Sequence, residues 1–166
     1  FNVVPLRKST LDSGASPDEY TAFAKRMRSA RSTMSSISYE VDHGVGVINA
    51  MLTALDRTAT APGSDLGKEI RSAKSALIAI QKGLEGNASK DEIGERNNNG
   101  IQSKLSAANA GLSTTYGPTA LHTKSMDEAE SGLPVLKSKV DAIVGKTIPD
   151  LIQKLKAVGA PYIQGY

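Results

Sequence analysis

The sequence predicts an all-α protein, an antiparallel four-helix bundle with helices that run long, short, short and long. Apolar residues recur at alternating spacings of three and four, which places them along one side of a helix. Turn-forming Pro and Gly residues separate these stretches into helices of about 40, 20, 20 and 40 residues. Aromatic residues make up only 4% of the 166-residue chain, so the core is expected to be aliphatic. The expected topology is up-down-up-down, with a coiled-coil-like lower half formed by the two long helices alone.

The first predicted helix carries the most regular apolar seam. Its two heptad series are Tyr20, Met27, Met34, Val41, Ile48, Leu55 and Phe23, Ala30, Ile37, Gly44, Met51. Ser16, Pro17 and Glu19 provide an N-cap, a first helical residue and a capping box. The seam keeps its phase across Gly44 and Gly46. We therefore expect a continuous helix, with Gly44 allowing another helix to approach closely.

The remaining helices follow the same spacing. Helix two is predicted from Ser64 or Asp65 to Gly86, and helix four from Thr119 to Gly159. Helix three is clearest from Ile101 to Leu112 and is predicted to stop before Gly117-Pro118. Pro134 and Pro149 each remove a helix hydrogen bond, so a kink or break is expected at one or both. The apolar spacing of helix four also shifts in phase before Leu151.

Residues 16–160 are predicted to form the bundle, between a strand-like leader and linker (1–15) and a C-terminal tail (161–166). The residues expected to be buried are Met34, Ile37, Val41, Ile48, Leu52, Leu77, Leu105 and Val140. Short connections make successive helices antiparallel. Both chain ends, where basic side chains are in excess, would then lie at one end of the bundle and make it a basic pole.

The composition narrows the class of function. With 20 Lys+Arg against 17 Asp+Glu, the chain is too balanced for a typical nucleic-acid-binding protein, so no nucleic-acid partner is expected. The absence of Cys excludes disulfides and cysteine nucleophiles. No apolar run approaches the roughly 18 residues of a transmembrane segment. No convergent set of nucleophile, base or metal ligands is present, so we predict neither an enzyme nor a cofactor or metal site.

Individual polar residues have simple structural interpretations. His43 and His122 are expected on the surface, because neither belongs to a metal-ligand pattern. The acidic cluster Asp127, Glu128 and Glu130 is expected near the start of helix four, where negative charge favours the helix dipole.

The candidate binding residues are Lys25, Arg26, Arg28 and Arg31. They form a basic run with no acid between Glu19 and Glu40. One interpretation is a solvated helix face. The other is a docking face for an anionic protein surface, a lipid headgroup or a polyanion.

Several short motifs occur in a characteristic order. They are Asn99-Gly100-Ile101-Gln102-Ser103-Lys104-Leu105, Tyr116-Gly117-Pro118-Thr119, Thr147-Ile148-Pro149-Asp150-Leu151 and Val158-Gly159-Ala160-Pro161-Tyr162-Ile163. This order resembles the C-terminal helical region of secreted bacterial β-propeller proteins of the sortilin-like, BNR-repeat type, often described as glycosyl-hydrolase-like. The opening Phe1-Asn2-Val3-Val4 is similar to the last strand before that region, whereas Pro134 departs from the family pattern.

The resemblance implies an extracytoplasmic bacterial location and an upstream propeller, and it implies no activity for this region. The predicted function is a non-catalytic interaction or scaffolding module of a secreted or cell-envelope protein, with the propeller or another envelope protein as partner. Two alternatives remain open. One is a spacer subunit of a larger extracellular assembly, and the other is an independent ligand- or metal-binding bundle.

Overall fold

The computed structural model describes residues 14–59, 64–86 and 100–161, and all regular secondary structure in these ranges is helical. The elements are α1 (Pro17–Leu55), α2 (Asp65–Glu85), α3 (Ile101–Ala110), α4 (Ala120–Ala142), a π-helical turn (Ile143–Thr147) and α5 (Ile148–Ala157). Because α4, the π turn and α5 follow one another without a break, they form one long C-terminal helix. Four helices therefore pack together, and the predicted all-α four-helix bundle is confirmed. The leader residues 1–13 and tail residues 162–166 lie outside the described ranges.

The first helix is continuous over 39 residues, as its seam predicts. Its capping box is formed: the Glu19 N–H donates to Ser16 Oγ at 3.2 Å, and the Ser16 N–H donates to Glu19 Oε2 at 2.7 Å. Hydrogen bonds from the backbone and from the side chain of Ser16 to the Glu19 carboxylate lower the pKa of Glu19, because they favour its ionised form. Of the eleven seam residues, all but Tyr20 and Met34 are buried. The seam is therefore the main packing surface of α1.

Helix α3 continues in the direction of α2 instead of turning back as predicted. Gly100, which precedes α3, lies against the end of α2: a Cβ atom on it would be only 2.4 Å from the Gly86 nitrogen. Farther along, the hydroxyl of Tyr20 donates to the carbonyl of Leu112 at 2.8 Å, near the start of α1. The two short helices are thus arranged in series along α1, with α2 beside Gly44 and α3 beside Met34. The predicted coiled-coil-like half of the two long helices alone is therefore wrong, because α3 lies along the N-terminal half of α1.

The C-terminal helix runs parallel to α1. Contacts at successive levels join Arg26 to Glu130, Glu40 to Lys137, and the Gly44 region to Ile148. The segment before α1 lies beside the α3–α4 connection, where the Ala15 N–H donates to the Tyr116 carbonyl at 2.8 Å. At the other end, Lys154 of α5 pairs with Glu69 near the start of α2. The start of α1 and the end of α5 therefore lie at opposite ends of the bundle, so the prediction that they share one end is wrong, and with it the basic pole.

The phase shift predicted in helix four is confirmed as the π turn. In this turn the Ile148 N–H donates to the carbonyl of Ile143, five residues earlier. Buried residues lie seven apart on each side of the turn but eight apart across it: Met126, Leu133 and Val140 before it, Ile148 and Leu155 after it. The turn absorbs one extra residue, so both series face the same core. Pro149 follows directly, at the start of α5, whereas Pro134 lies within α4 without ending it.

Six of the eight residues predicted to be buried are buried, namely Ile37, Val41, Ile48, Leu77, Leu105 and Val140. Met34 and Leu52 are corrections, because both are half-buried and pack against the edge of the core. Met34 lies at an opening between α1 and α3. Gly44 does allow the expected close approach, since an added Cβ atom would lie 2.9 Å from Leu77 Cδ1.

Candidate interaction surfaces

Three residues of the predicted docking face, Lys25, Arg28 and Arg31, are exposed on α1. We call them the basic row. They are spaced three residues apart, so each lies about 4.5 Å farther along the helix and next to the previous one on its surface. Within the described ranges, none of the three forms an ion pair. Their charges are therefore available to a partner.

The fourth residue, Arg26, differs from the prediction because it is held inside the fold. Its Nη2 atom lies 2.5 Å from Asp127 Oδ1 and 2.6 Å from Glu130 Oε2, both on α4. The hydrogen bonds that Arg26 donates to Glu130 and Asp127 raise its pKa, and only 36% of its side chain is exposed. The α1 helix rotates by about 100° per residue, so Arg26 faces α4 while Lys25 faces solvent.

Three other cations that face a neighbouring helix are also paired. Lys104 of α3 lies 3.1 Å from Glu128, and Lys154 of α5 lies 2.5 Å from Glu69 of α2. Lys137 of α4 bonds to Asp141 in its own helix and to Glu40 of α1, and these two carboxylates raise its pKa. Half-exposed ion pairs of this kind contribute little net stability, because solvent and salt screen them.

These contacts correct the interpretation of the acidic cluster. Asp127, Glu128 and Glu130 lie in the third turn of α4, which begins at Ala120, whereas the dipole effect is limited to the first turn. The cluster instead provides the carboxylates that pair with Arg26 and Lys104.

A pocket of about 260 Å³ opens between α1 and α3 beside the basic row. Its lining residues, three from each helix, are Arg31, Met34, Ser35, Gln102, Leu105 and Ser106. They combine one cation, three neutral hydrogen-bonding side chains and two apolar side chains. We call this opening the α1–α3 pocket.

Sequence reasoning missed the α3 side of this pocket. Gln102 and Ser106 are four residues apart, so they share one helix face. That polar face was visible in the sequence. Its position beside Arg31 depends on the direction of α3, which the sequence did not indicate.

A second opening of about 390 Å³ lies between α2 and the C-terminal helix. Its lining is almost entirely apolar: Ala76, Ala79, Ile80, Leu136, Lys139, Ala142 and Ile143. Three alanines on facing helices leave the space unfilled, next to the π turn. We call it the α2–α4 groove.

The two histidines have local roles. His122 Nδ1 accepts the Thr119 N–H at 3.0 Å and completes a capping box at the start of α4. His43 is exposed, and its ring stacks on that of Tyr39. Within the described ranges, no group of three or more His, Asp or Glu side chains is arranged to hold a metal ion.

No helix in the described part of the chain combines the length and apolar character needed to cross a membrane. Comparisons with protein-family models, curated proteins and solved structures find no match to this chain. The likeness to sortilin-like β-propeller proteins therefore remains a prediction based on short motifs. The geometry of the exposed surfaces provides the remaining grounds for a function.

Proposed function

We propose that this chain is a non-catalytic interaction module of a secreted or envelope-associated bacterial protein, and that it docks on an acidic protein surface through the basic row. The observation that carries the proposal is that three exposed cations lie next to one another on α1. Arg26, Lys104, Lys137 and Lys154 face neighbouring helices and are paired with acids, whereas the basic row is exposed and has no acid paired with it in the described ranges.

The chemistry of the basic row favours an acidic protein. An exposed row of three cations attracts carboxylates and accelerates their encounter, with an effect that weakens as salt shortens the screening length below about 10 Å. Nucleic-acid binding usually neutralises more phosphates, about 6–10 in typical complexes. The partner suggested by the motif resemblance is an upstream propeller domain or another envelope protein.

The test is binding to immobilised poly-L-glutamate at about 50 and 200 mM salt, the range over which such contacts weaken. We expect the triple variant Lys25→Gln, Arg28→Gln, Arg31→Gln to bind about tenfold or more weakly than the native chain, with a smaller salt dependence. The matched control is Lys82→Gln, Lys139→Gln, Lys156→Gln, which removes the same charge from exposed positions elsewhere. Equal weakening of both variants would show that net charge alone drives binding and would refute the proposal.

The spacer alternative is favoured by a separate observation. Ser16 and Ala157 lie at opposite ends of the bundle, and α1 alone is about 58 Å long for its 39 residues. Any structure joined before Ser16 and any joined after Ala157 would be held apart by this length. A spacer role and a docking role use different parts of the molecule and are compatible.

A further inference from the structure

We infer that the α1–α3 pocket receives one acidic side chain of the segment that docks on the basic row. The inference rests on the proposed function and deepens it, because it names the atoms that would bind an individual carboxylate. It also makes a distinct claim: α3, which contributes no residue to the basic row, forms half of the binding site.

The lining residues match a carboxylate on an apolar stem. The guanidinium of Arg31 presents paired N–H donors that bind a carboxylate in bidentate fashion. Ser35, Gln102 and Ser106 add hydroxyl and amide donors around it. Met34 and Leu105 provide an apolar surface for the methylene groups of an Asp or Glu side chain.

The size of the pocket favours a single side chain. Its volume of about 260 Å³ lies below the range of about 300–1,000 Å³ that is usual for small-molecule sites. The pocket is also an open cleft between two helices, so a neighbouring chain can lie along the bundle and insert one residue.

The surrounding charges favour an anion over a neutral group. No acid occurs in α1 between Glu19 and Glu40, and α3 contains no acidic residue at all. The one cation of α3, Lys104, is already paired with Glu128. The positive charge of Arg31 is therefore not opposed by a carboxylate from either helix that lines the pocket.

The test uses a fluorescein-labelled peptide of Glu-Ala-Ala repeats and its Gln-Ala-Ala counterpart, with binding measured by fluorescence anisotropy. We expect the native chain to prefer the Glu peptide. Ser106→Leu fills the pocket without changing the net charge and should weaken binding of the Glu peptide about fivefold or more. Ser103→Leu is the matched control, because Ser103 is an exposed residue of the same helix that does not line the pocket. It should bind as the native chain does.

The outcomes separate the two proposals. If the triple variant of the basic row binds weakly but Ser106→Leu binds like the native chain, docking on the basic row stands and the pocket inference is refuted. If the triple variant also binds like the native chain, the proposed function itself fails.

A single-stranded oligonucleotide and phosphatidylglycerol vesicles serve as competitors. Tighter binding of either one than of the Glu peptide would refute an acidic protein segment as the occupant. Circular dichroism and urea unfolding confirm that each variant is folded.

Discussion

Gly44 and Gly46 are two residues apart on α1, yet their surroundings are opposite. A Cβ atom on Gly44 would meet Leu77, Ile148 and Val144, the first at 2.9 Å, whereas a Cβ atom on Gly46 would meet nothing within 4 Å. Both glycines are costly in a helix interior, by about 1 kcal/mol relative to alanine. Only Gly44 has a packing reason to be glycine.

We therefore predict opposite effects of the same substitution. Gly46→Ala should raise the free energy of unfolding by about 0.5–1 kcal/mol, because it reduces the freedom of the unfolded chain and adds no contact. Gly44→Ala should lower it by about 1–3 kcal/mol, because the terminal Cδ1 atom of Leu77 is fully buried and would have to shift into close-packed neighbours. Urea unfolding followed by circular dichroism measures both values. If Gly44→Ala were as stabilising as Gly46→Ala, the close approach of α2 at this position would be disproved.

Lys25 and Arg26 show how far the candidate site could be predicted from single residues. The basic run and its lack of nearby acids were visible in the sequence, and three of its four members are exposed. The internal role of Arg26 was not visible, because it depends on where α4 lies around α1. Asp127 and Glu130 are about 100 residues away in the chain, and nothing local in the sequence relates them to Arg26.

At the scale of elements, the π turn joins two series of buried residues whose spacing across the turn is one residue longer than within each series. The buried series of α4 and α5 each have a period of seven, and a regular α-helix between them would rotate α5 by about 100°. Such a rotation would carry Ile148 and Leu155, both fully or almost fully buried, away from the core. The extra residue is thus accommodated locally, and the packing of α5 is preserved.

This explanation predicts that deletion of one residue leaves the free energy of unfolding nearly unchanged at the π turn but lowers it in a regular helix. In a Pro149→Ala background, which removes the proline penalty, deletion of Gly145 should change the unfolding free energy by no more than about 1 kcal/mol. An uninterrupted α-helix would then keep Val140 and Ile148 seven positions apart. Urea unfolding provides the measurement.

Deletion of Ser75 from α2 is the matched comparison. Ser75 is exposed, and α2 is a regular helix with no extra residue to lose. Leu77, Ile80 and Leu84 would rotate out of the core, so we expect a loss of more than about 3 kcal/mol. Similar losses from the two deletions would contradict the role assigned to the π turn.

The elements themselves were largely predictable, and their arrangement was less so. The heptad spacing and the capping signals at Ser16 and Glu19 define α1, since both are local features of the sequence. The direction of α3 is a different kind of property. An amphipathic helix of ten residues buries the same face whether it runs up or down, so its apolar pattern carries no information on direction.

At the scale of the whole molecule, the direction of α3 determines at which end of the bundle the C-terminal helix finishes. With α2 and α3 in series, the C-terminal helix runs parallel to α1 and ends beside the start of α2. The basic residues near the start of α1 and those of α5 are therefore separated along the bundle. The basic row is a local feature of α1, and the polarity expected from a shared end does not exist.

The separation of the ends can be measured directly, because the chain contains no Cys and accepts spin labels at introduced ones. We predict that labels at Asp18→Cys and Ala157→Cys, both exposed positions, are more than about 45 Å apart by double electron–electron resonance. The control pair, Asp18→Cys with Thr115→Cys, should lie within about 20 Å, because Ala15 and Tyr116 are hydrogen-bonded to each other. A bundle with α3 turned back would bring Asp18 and Ala157 to the same end and place Thr115 at the other end, so the first distance would be short and the second long. A long distance between positions 18 and 157 with a short one between positions 18 and 115 would support the spacer role, since only opposite ends can hold two attached structures apart.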